Sequence, residues 1–202
     1  ILGDFRLNAD IIKDESVDLI FTDPPYDRAT IPQYEDLAKL AARVLCKGGS
    51  LICYVGHYAI PDILPLMTPH LTFHWVLCVL HTGGNKNFPG KNVMVAWKPL
   101  LWFTKGTRWN STQIRDCISS EKGEKDKYHE WAQGTVDAGY CIEHLTRKRG
   151  LVLDPFCGGA STGEAALRLG RKFVAFEING STVKKARGRI KRIQEEVNGQ
   201  DG

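Results

Sequence analysis

Two aspartates in this chain stand where a buried hydrophobic run stops, and each is followed by proline. Asp23-Pro24-Pro25-Tyr26 comes after the run Val17 to Thr22, and Asp154-Pro155-Phe156 comes after Leu151-Val152-Leu153. A carboxylate at the end of a core strand is an acceptor that a ligand N–H or O–H can reach. One proline suffices to stop a strand; two in a row give up two backbone donors and fix two φ angles. That stiffness keeps an acceptor aimed, and Tyr26 adds a flat face for stacking. The second aspartate leads through Cys157-Gly158-Gly159-Ala160 into a helical pattern for which Ser161 or Thr162 is the expected N-cap. A strand, a glycine turn and a helix together bring backbone N–H groups close to a nucleotide-like cofactor. Glu177, 23 positions after Asp154, stands at the offset where an acid accepts hydrogen bonds from ribose hydroxyls. A plain turn and a surface glutamate would use the same residues, and it is the spaced acid that favours a nucleoside cofactor.

These residues need a scaffold, and the periodicities supply one. Leu37, Leu40, Ala41, Val44 and Leu45 recur at helical spacing, with Lys47-Gly48-Gly49 expected as the helix stop. "SLICYVG", "LTFHWVLCVLH" and "VMVAWKPLLWFTKG" read as strands, and residues 60–67 as a second helix. Between Trp109 and Tyr128 the pattern turns polar and aperiodic, which predicts a loop or a small excursion. Ala138, Cys141, Ile142 and Leu145 then share a helical face, "KFVAFE" is a strand ending in an acid, and Val183, Ala186, Ile190, Ile193 and Val197 mark a final amphipathic helix. The alternation predicts an α/β fold: an open, mostly parallel sheet with helices on both faces and ligands bound beyond the carboxyl ends of its strands.

With 202 residues, 43% of them hydrophobic, one domain with its own core is expected. No apolar run approaches the ~20 residues of a membrane span, so a soluble, cytoplasmic protein is expected. A net charge of +4 admits a polyanionic partner without requiring one. The six cysteines form no C-x-x-C pair and no zinc pattern, which predicts reduced core thiols and no metal.

"DPPY" after a buried strand, "DPFCGGAST" before a helix and "FEIN" on the next strand resemble the amino-methyltransferases that use S-adenosylmethionine to methylate exocyclic amines of nucleic-acid bases. Because the catalytic tetrapeptide precedes the cofactor loop, the chain resembles the permuted β class of DNA adenine-N6 and cytosine-N4 methyltransferases. The likeness runs over nearly the whole chain and implies a Rossmann-like, seven-stranded, mostly parallel sheet. It implies that Asp23 and the Pro24 carbonyl accept hydrogen bonds from the target amino group, with Pro25 stiffening the loop and Tyr26 stacking on an extruded base. For S-adenosylmethionine it implies contacts from Asp154, Pro155, Phe156, Gly158, Gly159, Ala160, Ser161, Thr162 and Glu177, with Asp4 near the adenine end and Gln133 near the methionine end; the product is S-adenosylhomocysteine. The loop departs from the family's F-x-G-x-G at Ala160, which fits if that residue has helical φ.

Because DPPY is commoner among the adenine-N6 enzymes, the resemblance favours adenine, with cytosine-N4 and RNA adenine methylation as alternatives. It implies duplex DNA as partner and a bacterial, archaeal or phage-encoded setting such as restriction-modification. A homodimer, a segment before Ile1 or a partner subunit are also consistent with it. Residues 1–202 would be one catalytic domain with a target-recognition excursion at about 105–130, and Lys86, Lys91, Arg108 and Arg115 are candidates for DNA contact. Small-molecule or protein methylation and a non-catalytic nucleic-acid-binding subunit are the competing classes. Trp75, Trp97, Trp102 and Phe103 are expected in the core, and the cations Lys184, Lys185, Arg187, Arg189, Lys191 and Arg192 on a solvated helix face.

Overall fold

A computed structural model describes residues 1–80, 86–88, 90–119 and 135–200, the side chains of 86–88 and 200 excepted. Seven strands form the main sheet: β1 (Val17–Thr22), β2 (Leu45–Tyr54), β3 (Thr72–Leu80), β6 (Trp97–Thr104), β7 (Cys117–Ser119), β8 (Leu151–Asp154) and β9 (Lys172–Ala175), in the order β7-β3-β6-β2-β1-β8-β9. β4 (Lys86–Phe88) and β5 (Val93–Val95) make a separate hairpin between β3 and β6. β6 runs antiparallel to both its neighbours; the other pairings in the main sheet are parallel. The expected α/β, mostly parallel, seven-stranded sheet is therefore what the chain forms.

Side chains alternate across this sheet with period two, and two cores result. Val17, Ile20, Leu51, Cys53, Leu101, Phe103 and Leu153 pack on one face against Leu37, Ala41 and Val44 of α2 (Gln33–Val44) and Ile63 and Met67 of α3 (Ile60–Met67). Leu19, Phe21, Ile52, Tyr54, Leu100, Trp102 and Val152 pack on the other against Ala138, Cys141, Ile142 and Leu145 of α4 (Val136–Leu145) and Ala165 and Ala166 of α5 (Ser161–Arg168). At about 1.5–3 kcal/mol per fully buried aliphatic side chain, these layers hold the sheet rigid beneath its rim. A short α1 (Phe5–Asn8) and the long α6 (Gly180–Gln200) complete the helices. No helix among the described residues is long and apolar enough to cross a membrane.

Four expectations are corrected. Gly48 and Gly49 do not stop α2; they lie inside β2, where the β1 register jumps from Val17↔Leu45 to Leu19↔Ser50. Gly48 has φ +77, and a Cβ there would lie 2.4 Å from the Trp109 backbone nitrogen, so this irregularity requires glycine. The polar stretch after Trp109 is not all excursion, because Cys117–Ser119 joins the main sheet as an edge strand on β3. Trp75 is 55% exposed and donates its indole N–H to Asp116, whereas Trp102 and Phe103 are buried as expected. Among the cysteines, Cys46, Cys53 and Cys141 are core thiols, but Cys117 is exposed.

Candidate functional site

β1 passes through α2 to β2 on one side, while β8 passes through α5 to its neighbour β9 on the other. Winding thus reverses between β1 and β8, which are hydrogen-bonded partners. Their carboxyl ends carry Asp23 and Asp154, and the crevice at such a reversal is where open α/β sheets bind ligands. The Thr22 hydroxyl donates to Asp154 Oδ1 at 2.7 Å, so the residue before Asp23 is tied directly to the second motif. Thr22 escapes notice in the sequence because a strand-end threonine has no distinguishing mark.

Asp154 is the buried anchor of the second loop. Its Oδ1 also accepts from the Phe156 N–H at 3.1 Å, and the Thr162 hydroxyl hydrogen-bonds the same carboxyl. Burial pushes its pKa up to about 6 against the pull of these hydrogen bonds. Phe156 is held edge-on by Phe5, with ring centroids 5.3 Å apart, and Pro155 is buried. Beyond it, Gly158 at φ +48 faces open space, and its N–H donates to Glu177 Oε2 at 3.0 Å. The Glu177 Oε1 accepts from Asn179 N–H at 2.8 Å. A carboxylate has about four lone-pair positions, so two remain for ribose hydroxyls. Open space at Gly158, backbone amides in a turn and a half-free acid suit a nucleoside cofactor approaching this loop.

Ala160 is at φ +61, left-handed rather than helical, and it is the N-cap in place of Ser161 or Thr162. Ser161 opens α5, while Thr162 turns inward toward Asp154. A left-handed alanine costs about 1 kcal/mol relative to glycine, but the Ala160 methyl is fully buried, which returns about 0.8 kcal/mol. We therefore expect Ala160→Gly to shift the melting temperature by no more than about 1 °C. A thermal scan showing a rise of about 2–4 °C would mean that the strain is not offset. Arg189, counted among the solvated cations of α6, instead turns inward: it donates to Glu164 at 2.6 Å and to the Gly159 carbonyl at 3.1 Å, bracing the loop.

At the first motif, Pro24 is buried and Pro25 exposed, and the Pro25 carbonyl accepts from the Thr30 hydroxyl at 2.8 Å. The Tyr26 hydroxyl donates to Asp23 Oδ1, and Tyr58 donates to the Tyr26 carbonyl. Tyr26 therefore satisfies the carboxylate as well as offering a face. Asp23 opens to solvent at one edge, yet surrounding protein raises its pKa by desolvation, against the Tyr26 hydrogen bond and the Lys98 charge.

Behind this motif, Tyr54 donates to Asp137, a buried acid on the first turn of α4. Desolvation pushes the Asp137 pKa up to about 6, opposed by backbone hydrogen bonds and assisted by the negative Asp23. With its folded pKa above the unfolded ~3.9, Asp137 binds a proton more tightly in the folded state, so its contribution to stability falls as pH rises from about 4 through 6. Asparagine keeps an acceptor for Tyr54 and carries no charge. We expect Asp137→Asn to gain about 2–3 kcal/mol on the wild type between about pH 4 and pH 7.5, read from denaturation midpoints across that range. A pH-independent difference would remove Asp137 from this account.

The remaining expected site residues are dispersed. Asp4 lies beside Glu177, since Gly3 N–H donates to the Glu177 carbonyl at 2.9 Å, but its carboxylate caps α1 and pairs with Arg6, which lowers its pKa. Lys91 is exposed at the tip of the β4–β5 hairpin. Arg108 follows the carboxyl end of antiparallel β6, at the end of the sheet opposite Asp23; it donates to Asn110 Oδ1 and the Thr112 carbonyl and lies 5.2 Å over the Trp102 ring. The structure does not bring it to the rim. The Arg115 N–H donates to the Tyr140 hydroxyl, below β7. Gln133 and the Lys86 side chain lie outside the described residues.

Fold and site together set an acceptor tetrapeptide beside a glycine turn at the switch point of an open α/β sheet. Residues 17–187 match the family of N6/N4 DNA methylases, and the chain belongs to that family. It is 24% identical to the type II methyltransferase M.HinfI of Haemophilus influenzae over 249 aligned positions, 97% of this chain and 69% of that protein. Two solved structures share its fold: TTHA0409 of Thermus thermophilus (TM-score 0.77, 20% identity, 95% of this chain and 93% of that one) and the cytosine-N4-specific PvuII DNA methyltransferase (TM-score 0.76, 18% identity, 98% and 90%).

Proposed function

We propose that the chain methylates the exocyclic N6 amino group of adenine in duplex DNA, with S-adenosylmethionine as donor and S-adenosylhomocysteine as product. The observation that carries the methyl-transfer part of this reading is the Thr22–Asp154 hydrogen bond, which fixes the Asp23 loop against the glycine turn across the switch point, while the choice of adenine rests on the Asp23-Pro24-Pro25-Tyr26 motif. A crystal form of TTHA0409 contains S-adenosyl-L-methionine, which supports the same ligand for this fold. When bound, S-adenosylmethionine supplies an electrophilic methyl group on a sulfonium. The chain's own residues hold and orient it: Glu177 through its two remaining lone-pair positions, and Phe156, Gly158, Gly159, Ser161 and Thr162 through the shape and amides of the loop.

An adenine amino nitrogen is a weak nucleophile because its lone pair is delocalised into the ring. With Asp23 and the Pro24 carbonyl each accepting one N–H, the nitrogen becomes pyramidal and its lone pair localises, and both acceptors stabilise the positive charge that develops. The new N–C bond forms as the methyl–sulfur bond breaks, its electron pair staying on sulfur, and the nitrogen loses its extra proton afterwards. Such a base has to leave the helix stack, and its amino group meets Asp23 at Oδ2 while Tyr26 holds Oδ1. Residues 1–202 then form one catalytic domain, in which the hairpin tip at Lys91 remains the candidate DNA contact among the described residues.

The test is transfer of labelled methyl to unmethylated bacterial DNA, followed by nucleoside mass spectrometry. N6-methyladenine is the expected product. N4-methylcytosine would change the base and keep the chemistry; transfer to folded RNA alone would remove DNA as the substrate.

A further inference from the structure

The tetrapeptide is straddled by two cations that the methyl-transfer scheme leaves unused. On the α4 side, Lys98 near the start of β6 holds its Nζ 5.4 Å from the Tyr54 ring centroid and 5.9 Å from that of Tyr26. On the α2–α3 side, the Arg28 guanidinium sits 5.9 Å over Tyr58, whose hydroxyl donates to the Tyr26 carbonyl. The two sides are distinguished by packing: Tyr54 belongs to the core under α4, and Tyr58 packs on the core under α2 and α3. Among the described residues neither cation has a carboxylate within 4.0 Å; each rests on aromatic faces beside the Tyr26 motif.

Such a resting place is weak, about 0.5–1 kcal/mol at accessible sites, and a charge-assisted hydrogen bond to phosphate outcompetes it. An extruded nucleotide needs such a bond. Its base enters against Asp23, so its two phosphodiesters are drawn to the mouth of a site with a carboxylate at its centre and the buried acids Asp137 and Asp154 behind. The other groups facing Asp23, namely Tyr26, Tyr34 and Cys53, bring no positive charge.

We infer that Arg28 and Lys98 form a two-sided phosphate clamp, each leaving its tyrosine face to take one of the phosphodiesters flanking the extruded nucleotide. The inference rests on the base-methylation reading and adds to it the groups that hold the nucleotide's backbone. The same motion uncovers the Tyr26 ring, so that capture of the phosphates and exposure of the stacking face are one event.

The test measures duplex binding over a range of salt concentrations for wild type, Arg28→Ala, Lys98→Ala and the double variant, with S-adenosylmethionine binding as the check on folding. Each single substitution is expected to weaken DNA binding about tenfold regardless of sequence, and to reduce the slope of log K against log[salt] by about 0.9. The double variant should lose about twice that slope, and Lys98→Arg should restore most of it. Wild-type methylation of DNA with salt slopes unchanged in all three alanine variants would overturn the clamp and leave the proposed activity standing. An acid limb of the pH–rate profile that moves in Lys98→Ala without a change in slope would make Lys98 a partner of Asp23 alone, and would also overturn it. A wild type that binds cofactor but neither binds nor methylates DNA would overturn both readings together.

Discussion

Asp23→Ala is expected to lower methyl transfer to DNA by on the order of 10³-fold while leaving S-adenosylmethionine binding within about twofold. The size follows from what is removed: one of two acceptors for the amino group, and the anion nearest the charge that develops on nitrogen. Cofactor affinity survives because the second loop is anchored by Asp154, Thr22 and Arg189, none of which needs the Asp23 carboxylate. The fold survives because the group that loses a partner, the Tyr26 hydroxyl, belongs to a residue 38% exposed and can turn to water. Asp23→Asn keeps one carbonyl acceptor and should retain more activity than alanine. The pH–rate profile separates the two roles of the aspartate. Burial raises the Asp23 pKa above the ordinary carboxylate value, so activity should fall with falling pH through that raised pKa as the acceptor is protonated. This acid limb should vanish in Asp23→Asn. An unchanged acid limb would assign it to another group, with Asp137 and Asp154, both at about 6, as the candidates.

What the sequence discloses about this site, and what it withholds, divides by physical distance. β1 is legible as a short apolar run that stops at Asp23 and two prolines, and α4 because its apolar residues recur three and four apart on one face. The order of the motifs and the acid 23 positions after Asp154 place both loops on one rim before any coordinates are seen. Contacts made across long separations are a different matter. Thr22 meets Asp154 over 132 residues, and Tyr54 meets Asp137 over 83. The spacing that makes Gly48-Gly49 look like a helix stop serves equally for a strand irregularity, and only the Trp109 backbone pressed against Gly48 decides between them. Cys117–Ser119 is too short to show a period, so its pairing with β3 cannot be read from its own residues. Ala160 carries the opposite lesson: its departure from glycine is visible in the sequence, but the φ that makes the departure costly is not.

Asp154 should show the largest difference between two substitutions at one position. In Asp154→Ala the Thr22 hydroxyl, the Phe156 N–H and the Thr162 hydroxyl all lose their buried acceptor, at about 1–3 kcal/mol each where water cannot replace it. Removing a desolvated carboxylate offsets part of that cost, so the net expectation is a loss of about 3 kcal/mol at neutral pH. Cofactor binding should be lost with it, because Phe156 and the glycine turn are aimed by these bonds. Asp154→Asn keeps the acceptor that Thr22 and the Phe156 N–H share, and the Thr162 hydroxyl can rotate to accept from the new amide. The sign with pH then follows. Asp154 titrates at about 6 in the folded chain and at about 4 in the unfolded one, so the wild type loses stability as pH rises between those values. Asparagine carries no such cost: it should match or fall slightly below the wild type at about pH 4.5 and exceed it by about 1–2 kcal/mol at about pH 8. Denaturation midpoints at the two pH values, with cofactor titrations on the same samples, read both effects. Equal losses in the two variants would mean that the charge itself, rather than its role as acceptor, holds the cofactor loop to the strand that ends in Asp23.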